Sequence, residues 1–555
     1  MIELHRVPLL AAVVVFSCVC SLSRAAEGEQ SSAAKEAEAL PDARHAVVRA
    51  VQQRPVRTLD LWEIVVDGNT VLDDSDIQEA LLPFLGPDKS PEDVDHARAA
   101  LEKLYADQGF KTVSVTIPRQ NVKDGTVMLA VTEGRIRRLN VVGSKYHSLS
   151  RIRKEASSLA EGKVPDFSAV QDDLIALNQS PDQSVTPALK NGPNPGVMDV
   201  DLVVTDKLPL HGMLEVNNRY SQNTSHRRVS ASVSYDNLWQ RSHSASLFFQ
   251  TAPDRPADGK VFLANYVVRF GREPFSLQLN ALRTDSDVAT IGGIGVVGRG
   301  RAYGIHGVWQ LPAQGEVTQS LTLGMDAKNF RNKVVVGGAA NVSPLRYYPV
   351  SLNYSRFARH ENHSLQLDGT LNFAFANLGS SSDELNLTRY HSTGQMLYLR
   401  SSLSYTRFLP KGMELGLRGT AQLSEQPLIS NEQLSAGGMD SVRGYLESEA
   451  QGDYGLTGGV ELRGPSLPDL MTESRFTRSV QELRPFLFVD GASLHLHDAL
   501  ADNAPNVDLL SIGAGLTLNV WSTLNGVLDV SRPLTKGPTS KAGDNRILFR
   551  LWTNF

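Results

Sequence analysis

Arg228-Val229-Ser230-Ala231-Ser232-Val233-Ser234-Tyr235 is the stretch on which the fold turns, because Val229, Ala231, Val233 and Tyr235 alternate with Arg228, Ser230, Ser232 and Ser234. Successive side chains of a strand point to opposite faces, so a period of two makes one face apolar and the other wet. The pattern returns downstream. Ala245, Leu247 and Phe249 interleave with Ser244, Ser246 and Phe248, Leu277 and Leu279 with Ser276, Gln278 and Asn280, and Leu365, Leu367 and Leu371 with Gln366, Asp368 and Thr370. A soluble antiparallel sandwich alternates in the same way. Connection lengths favour a membrane barrel, in which short turns at one rim alternate with longer loops at the other. Tight links at Asn237-Leu238, Gly271-Arg272, Pro312-Ala313, Arg359-His360 and Lys411-Gly412 interleave with long polar stretches near Asp254, Asp287, Asn332, Ser381 and Glu447. Gly464 to Arg484 is the exception, long where a short turn is due. Residues 208–555 are thus expected to form about sixteen antiparallel strands. Ile547, Phe549, Leu551 and Thr553 share one face of the last of these, and Phe555 supplies the terminal aromatic expected of a C-terminal insertion signal.

The rest of the 555-residue chain agrees with a barrel. After residue 25 no apolar run approaches the ~20 residues of a membrane helix, which excludes a helical membrane protein. A barrel stays open, because its lipid-facing and lumen-facing residues average to ordinary composition. The net charge of −5 is spread along the chain, leaving no footprint for nucleic acid. Val7 to Leu22 is almost wholly apolar, Arg6 precedes it and Ser23-Arg24-Ala25 has a small-x-small pattern, so residues 1–25 read as a secretory signal peptide. Phe16 is too bulky for the alternative, a lipoprotein signal ending at Cys18. Cys18 and Cys20 both fall in the removed segment, so the mature chain folds without cysteine chemistry.

Residues 26–58 read as a linker, with a short helix from Asp42 to Gln52 between Pro41 and Pro55. From Leu59 the order becomes β-α-α-β-β. Trp62, Ile64 and Val66 alternate up to Asp67-Gly68-Asn69, and Ile77, Ala80, Leu81 and Phe84 fall at helical spacing. Ser90, Pro91 and Asp93 open a second helix, which carries Val94, Ala97, Leu101, Leu104 and Tyr105 to Gly109. Val113, Val115 and Ile117, then Val127, Leu129 and Val131, make two strands around the Lys123-Asp124-Gly125 turn. The order repeats through Ile136 to Val142, Leu149 to Leu159, Phe167 to Leu177, Ser184 to Leu189 and Val200 to Val204, with Gly143 echoing Gly68. The repeats are placed at 59–134 and 135–207, each with a free edge strand able to take an extended peptide.

Chemistry-bearing motifs are scarce. Gly293-x-Gly295-x-x-Gly298 lacks the following helix that a dinucleotide fingerprint requires and reads as barrel-loop glycine. His360-Glu361-x-His363 lacks the zinc-hydrolase spacing, and His495 with His497 has no third ligand in sequence. There is no Gly-x-Ser-x-Gly elbow and no phosphate-binding loop. No catalytic, cofactor-binding or metal-binding residue is expected, and the chain does not read as an enzyme.

Gly437-Gly438-Met439-Asp440-Ser441-Val442-Arg443-Gly444-Tyr445 lies in the longest loop, and Phe488-Val489-Asp490-Gly491 begins a later strand. With Ile117-Pro118-Arg119-Gln120 and Glu133-Gly134-Arg135-Ile136, these segments resemble the transporter subunit of two-partner secretion, the haemolysin/haemagglutinin secretion-activation family. That family is a branch of the superfamily that includes outer-membrane insertases. The resemblance runs from about residue 59 to Phe555. It implies an all-β transmembrane barrel preceded by two α+β POTRA domains in the periplasm, with the sixth surface loop folded back into the lumen. Val442, Arg443, Gly444 and Tyr445 would form the transport loop motif and Phe488, Asp490 and Gly491 its barrel-wall partner, Arg443 pairing with Asp490. Only some thirty residues separate the signal peptide from the first repeat, fewer than the family's N-terminal plug and its linker usually occupy. The implied function is export of a large secreted exoprotein with an N-terminal secretion domain, with haemolysin-like activation where the cargo needs it and no nucleotide hydrolysis. Further partners would be the outer-membrane bilayer and the barrel-assembly machinery. An insertase and a passive pore or adhesin barrel are the alternatives, the first favoured by more periplasmic repeats, the second by the absence of any.

Overall fold

The computed structural model describes residues 58–555 except 123, 272, 286–287, 292–293, 298, 337–338, 377, 472–473, 475–477 and 501–503. The signal peptide, the linker up to residue 57 with its short helix, and Gly293 and Gly298 of the glycine triplet lie outside the described residues.

The first repeat has the expected elements and, beyond them, an antiparallel strand pair of Leu59–Leu61 with Gly86–Lys89, the second of these lying between the two helices. Strand β1 (Glu63–Asp67) is followed by helix α1 (Asp74–Leu81) and helix α2 (Pro91–Asp107), then by β2 (Ser114–Thr116) and β3 (Thr126–Thr132). Ser90 caps α2 reciprocally with Asp93, satisfying two otherwise orphaned amides, and Pro91 occupies a first-turn position that needs no N–H. Ala97, Leu101 and Tyr105 of α2 are fully buried against Val115, Leu129 and Val131. Burial of Leu101 alone contributes roughly 1.5–3 kcal/mol. Strand β3 is central, parallel to β1 and antiparallel to β2. Past the end of β2, Gln120 takes over the role of a strand: its amide accepts from Met128 N at 2.7 Å and donates to Met128 O at 2.8 Å.

The second repeat has β4 (Arg135–Val142), α3 (Leu149–Glu155), α4 (Phe167–Leu177), β5 (Gln183–Asn191) and β6 (Val197–Asp206), with β6 central. The correspondence between repeats reaches atomic detail at one position. Gly68 (φ +91°) and Gly143 (φ +93°) each follow the first strand, and a Cβ on either would sit 2.4 or 2.5 Å from the carbonyl oxygen of Val131 or Val204 on the central strand. Only glycine tolerates both the backbone angle and the contact. The division into compact units runs through this repeat, with Val141–Glu155, Ile175–Thr186 and everything from Val203 onward in the second unit.

That second unit is built on a closed antiparallel barrel. Its first strand is Leu210–Asn217 and its last Arg546–Asn554, and the two pair from Arg550 opposite Asn217 to Asn554 opposite Met213. Seventeen segments are in the ladder, but Ala339–Tyr347 and Val350–His360 are one strand in two pieces. Lys328 faces Tyr347 and Met325 faces Val350, so the register runs unbroken past Pro349, which has no N–H to give to the ladder. The barrel therefore has sixteen strands, as the alternation indicated. Two connections differ from expectation. Asn332 lies inside a 20-residue strand, Val317–Val336, and a strand pair (Val288–Ile291 with Ile294–Val297) stands where a loose loop was expected near Asp287. A tilted strand needs only about 9–11 residues to cross a bilayer, so the hairpin around Asn332 continues beyond it.

The two faces separate cleanly. On Val480–His495, the thirteenth barrel strand, Leu487 and Val489 are exposed while Phe486, Phe488 and Asp490 are buried. Leu247, Ile305, Leu323, Leu371, Leu456, Leu528 and Leu551 likewise face outward. An outward band of large apolar side chains is what lipid, not water, requires.

Candidate functional site

The site is built by the segment between the eleventh and twelfth barrel strands, Met413–Ser424 and Tyr454–Arg463. Instead of projecting outward, it turns into the lumen and is fixed to opposite walls. Entering, it places Glu432 among Lys328, Tyr347 and Tyr398 of the seventh, eighth and tenth strands. Lys328 Nζ lies 2.7 Å from Glu432 Oε1, and the two phenols donate to the carboxylate at 2.6 and 2.5 Å. Glu432 is buried, and three donors make up for the lost hydration. Its backbone carbonyl accepts from Gln422 at 3.1 Å and Arg400 at 3.1 Å. Leaving, the segment ends at Asp453, whose carboxylate takes Arg389 Nη2 and His497 N at 2.8 Å each, and Leu428 N and Gln433 Nε2 at 2.9 Å each.

Arg443 stands between these ends. Its Nε donates to Asp490 Oδ2 at 2.6 Å and its Nη2 to Asp490 Oδ1 at 3.0 Å, a bidentate pair to which the backbone amide adds a bond of 3.2 Å. Nη1 donates to Glu461 Oε2 at 2.6 Å. The guanidinium lies flat on Phe488, its Cζ 3.3 Å from the ring centroid, with Phe486 at 5.8 Å. A planar cation thus meets carboxylates at its edge and a π-face beneath it, which lysine could not match. Gly513 of the neighbouring strand makes room: a Cβ there would lie 2.3 Å from Phe488 Cζ. Arg418 also reaches Asp490 at 3.0 Å and donates to Ser441 O at 3.0 Å. Asp490 is wholly buried, so two guanidiniums and an amide carry its charge.

The other motif residues lock the return limb. Val442 and Tyr445 are fully buried with Leu434, Ala436, Ala450, Leu494 and Leu509. Tyr445 Oη lies 2.9 Å from Leu510 O and 2.8 Å from Thr535 O. Gly444 takes φ +97° beside Pro533. Glu447 meets Arg219 at 3.0 Å, and Glu449 accepts from the amides of Thr539 and Ser540 at 2.9 and 2.6 Å. Gly491 lies next to Asp490 on the wall strand, opposite Gly458 and Leu510. Phe555 is far along the chain from this motif, at the seam, where its backbone exchanges two hydrogen bonds with Gly212 and its ring covers that glycine.

Arg443 and Asp490 are therefore brought together, and their motif neighbours are packed around them. Arg418, Glu461, Phe486, Gly513 and Glu432 were not singled out in the sequence. Glu461 and Arg418 carried a weak signal as charges on lumen-facing positions of alternating strands, but which wall they share follows only from strand register. His495 and His497 each pack against Tyr454, and hydrogen-bond to Asn506 and Ser424 O respectively.

Residues 196–518 match the model of the haemolysin secretion/activation protein family ShlB/FhaC/HecB, and residues 59–134 that of the ShlB-type POTRA domain. The chain belongs to the haemolysin secretion/activation (ShlB/FhaC/HecB) family. It is an outer-membrane barrel of the two-partner secretion type that transports a partner protein, with its POTRA region in the periplasm. Among curated relatives, the outer membrane transporter CdiB of Dickeya dadantii (strain 3937) is 22% identical over 423 residues, 71% of this chain and 70% of its own. CdiB of Escherichia coli O6:K15:H31 is 23% identical over 417 residues, 71% of this chain and 66% of its own. Of solved structures, CdiB from Escherichia coli aligns with a TM-score of 0.62 at 19% identity, covering 92% of this chain and 93% of that one. BamA from Haemophilus ducreyi lacking POTRA domains 1–3 aligns with a TM-score of 0.53 at 15% identity, over 90% and 100% of the two chains. Both structures share the fold.

Proposed function

We propose that residues 59–134 and 135–207 are two POTRA domains that capture the N-terminal region of one large exoprotein in extended form and feed it into the barrel, where the Arg443 loop must yield before the cargo passes. The observation that carries this reading is the loop itself: a segment held across a closed lumen by buried ion pairs on two walls is an occluding element with a defined way of letting go. Free edges at β1 and β5 offer main-chain pairing to an extended peptide, with Trp62 and Leu189 exposed beside them. At the other edge of the first sheet Gln120 already satisfies Met128. Folding of the cargo outside the cell would bias its direction without nucleotide hydrolysis by this chain, and a haemolysin-like cargo would become active on that folding. Residues 1–25 would direct the chain to the periplasm, and Phe555 would be read by the barrel-assembly machinery. With the loop in place the barrel should conduct poorly, and with the loop displaced it should behave as a porin. The reading is tested by disulfide-tethering the loop to the wall, through Ser441→Cys and Thr420→Cys, in cells expressing a cognate exoprotein. Secretion should stop under oxidising conditions and resume on reduction; undiminished secretion through a tethered loop would overturn it.

A further inference from the structure

A second cluster of chemically capable side chains stands apart from the Arg443 motif. Asp182 lies in the turn between α4 and β5, His211 on the first barrel strand and Asp236 on the second, Arg228–Leu238, all within one compact unit. His211 Nε2 is 2.8 Å from Asp182 Oδ2 and 3.5 Å from Asp236 Oδ2, and one donor atom from each residue lies within 4.8 Å of the other two. The backbone fixes this frame: Lys207 N donates to Asp182 O at 2.8 Å and Asp236 N to Pro209 O at 2.9 Å, while His211 faces Ser234 in the ladder.

We propose that Asp182, His211 and Asp236 bind a first-row divalent cation, zinc being the best match, which staples the Asp182 turn to the first two barrel strands. Two carboxylates converge on one imidazole nitrogen. A neutral imidazole carries at most one hydrogen there, and the 2.8 Å contact to Asp182 uses it; Asp236 faces the same atom at 3.5 Å with no hydrogen left to share. The Asp182 side chain is only 5% exposed and that of Asp236 32%, so water screens the repulsion between the two acids only in part. A dication in their midst would neutralise both and become the largest local charge. One imidazole nitrogen and two carboxylate oxygens are a normal zinc donor set, with water completing the shell. At zinc bond lengths of about 2.0–2.2 Å, tetrahedral donors stand roughly 3.3 Å apart, within the range of the nitrogen–oxygen separations here. The lack of thiolate or thioether argues against copper(I).

The staple acts on a strand with a weak side. The first strand meets the last through the short register from Arg550 to Asn554 and the second through a longer one, from Arg228 opposite Asn217 to Tyr235 opposite Leu210. A cation joining His211 to Asp236 reinforces the longer of these two pairings.

The test uses the full-length protein in detergent, stripped with a chelator, dialysed against micromolar Zn2+ and assayed for bound metal and thermal midpoint. The background carries His360→Ala and His363→Ala, which removes the histidine pair whose rings lie 4.6 Å apart at a barrel turn. Heat-modifiable migration checks that each variant is folded. The background protein should retain about one zinc per chain and melt higher with zinc than without. His211→Asn and Asp236→Asn should each lose both effects while still folding. The proposal is overturned if the background protein retains no zinc, or if His211→Asn retains as much. A midpoint that follows pH but not zinc would identify a hydrogen-bonded imidazolium instead, and would equally overturn it.

Discussion

Arg443 has more partners than its motif implies, and this changes what its substitution should do. Arg443→Ala leaves Asp490 with Arg418 at 3.0 Å, whereas Asp490→Ala leaves Arg443 with Glu461 at 2.6 Å. Breaking a fully desolvated pair costs about 3–5 kcal/mol, and remaining partners and lumen water should lower that figure. Both alanine variants should assemble nearly normally and secrete poorly. Arg443→Lys should fail in part, since an ammonium cannot make the fork or lie flat on Phe488. A double-mutant cycle read by protease access to the loop should show coupling between Arg443 and Asp490, and simple additivity would mean that the pair does not hold the loop.

Asp206 gives a residue-scale prediction in the periplasmic region. Burial works to raise its pKa, but hydrogen bonds from the amides of Tyr146 and Lys145, from the Ser144 hydroxyl and from His147 outweigh it and hold the carboxyl well below the usual range. A group whose pKa is depressed by folding stabilises the fold above its unfolded value of about 3.9 and loses that contribution as pH falls toward the folded value. Asp206→Asn should lower stability at neutral pH by about 1–3 kcal/mol and flatten its dependence on acid below pH about 4, measured by denaturant titration across pH. An unchanged acid profile would mean that the carboxylate is not held in this nest.

At the scale of the element, the lumen segment is anchored along its length, by Glu432 on entry, by Arg443 midway, and by Tyr445, Glu447, Glu449 and Asp453 on the return. Glu432 binds three strands and Arg443 the twelfth and thirteenth, so loss of Arg443 alone should loosen the turn around it and leave the entering limb, and the return limb from Tyr445 onward, in place. Limited proteolysis should therefore cut Arg443→Ala between about residues 437 and 444 and spare Leu428 to Leu434, and adding Glu432→Ala should expose the entering limb as well. Cleavage of both limbs in the single variant would show that Glu432 does not anchor independently. Gly513→Ala should mimic the Arg443 defect, because its methyl group must displace Phe488 from beneath the guanidinium.

For the whole molecule, the proposed capture and pore modules should be separable. Deleting Leu59 to Asp206 should leave a heat-modifiable barrel in the membrane and abolish release of the exoprotein. Full secretion by that variant would sink the docking role of the repeats. Phe555→Asp should lower outer-membrane abundance, since it places charge at the seam where the ring covers Gly212, and unchanged abundance would remove Phe555 as an insertion signal.

How much of this was legible follows from the range of each signal. Alternation at Arg228 to Tyr235 set strand and facing, because side-chain direction in a strand depends only on parity. Ser90, Pro91 and Asp93 set the start of a helix, because capping is decided within three residues. The strand through Asn332 carries no such mark, since a hairpin extending past the bilayer has no lipid face. The Arg443 and Asp490 motifs stood out through resemblance to a family, and their pairing was an implication of it. Glu461, Arg418, Phe486 and Gly513 joined them only in three dimensions. So did Glu432 with Lys328, Tyr347 and Tyr398, and Asp182 with His211 and Asp236. The sequence by itself determined local geometry and which face of each strand is wet, because those depend on neighbours in the chain. Which wet residues meet was decided by the tertiary structure alone, because barrel closure and register bring together side chains tens to hundreds of residues apart, and no local period encodes that distance.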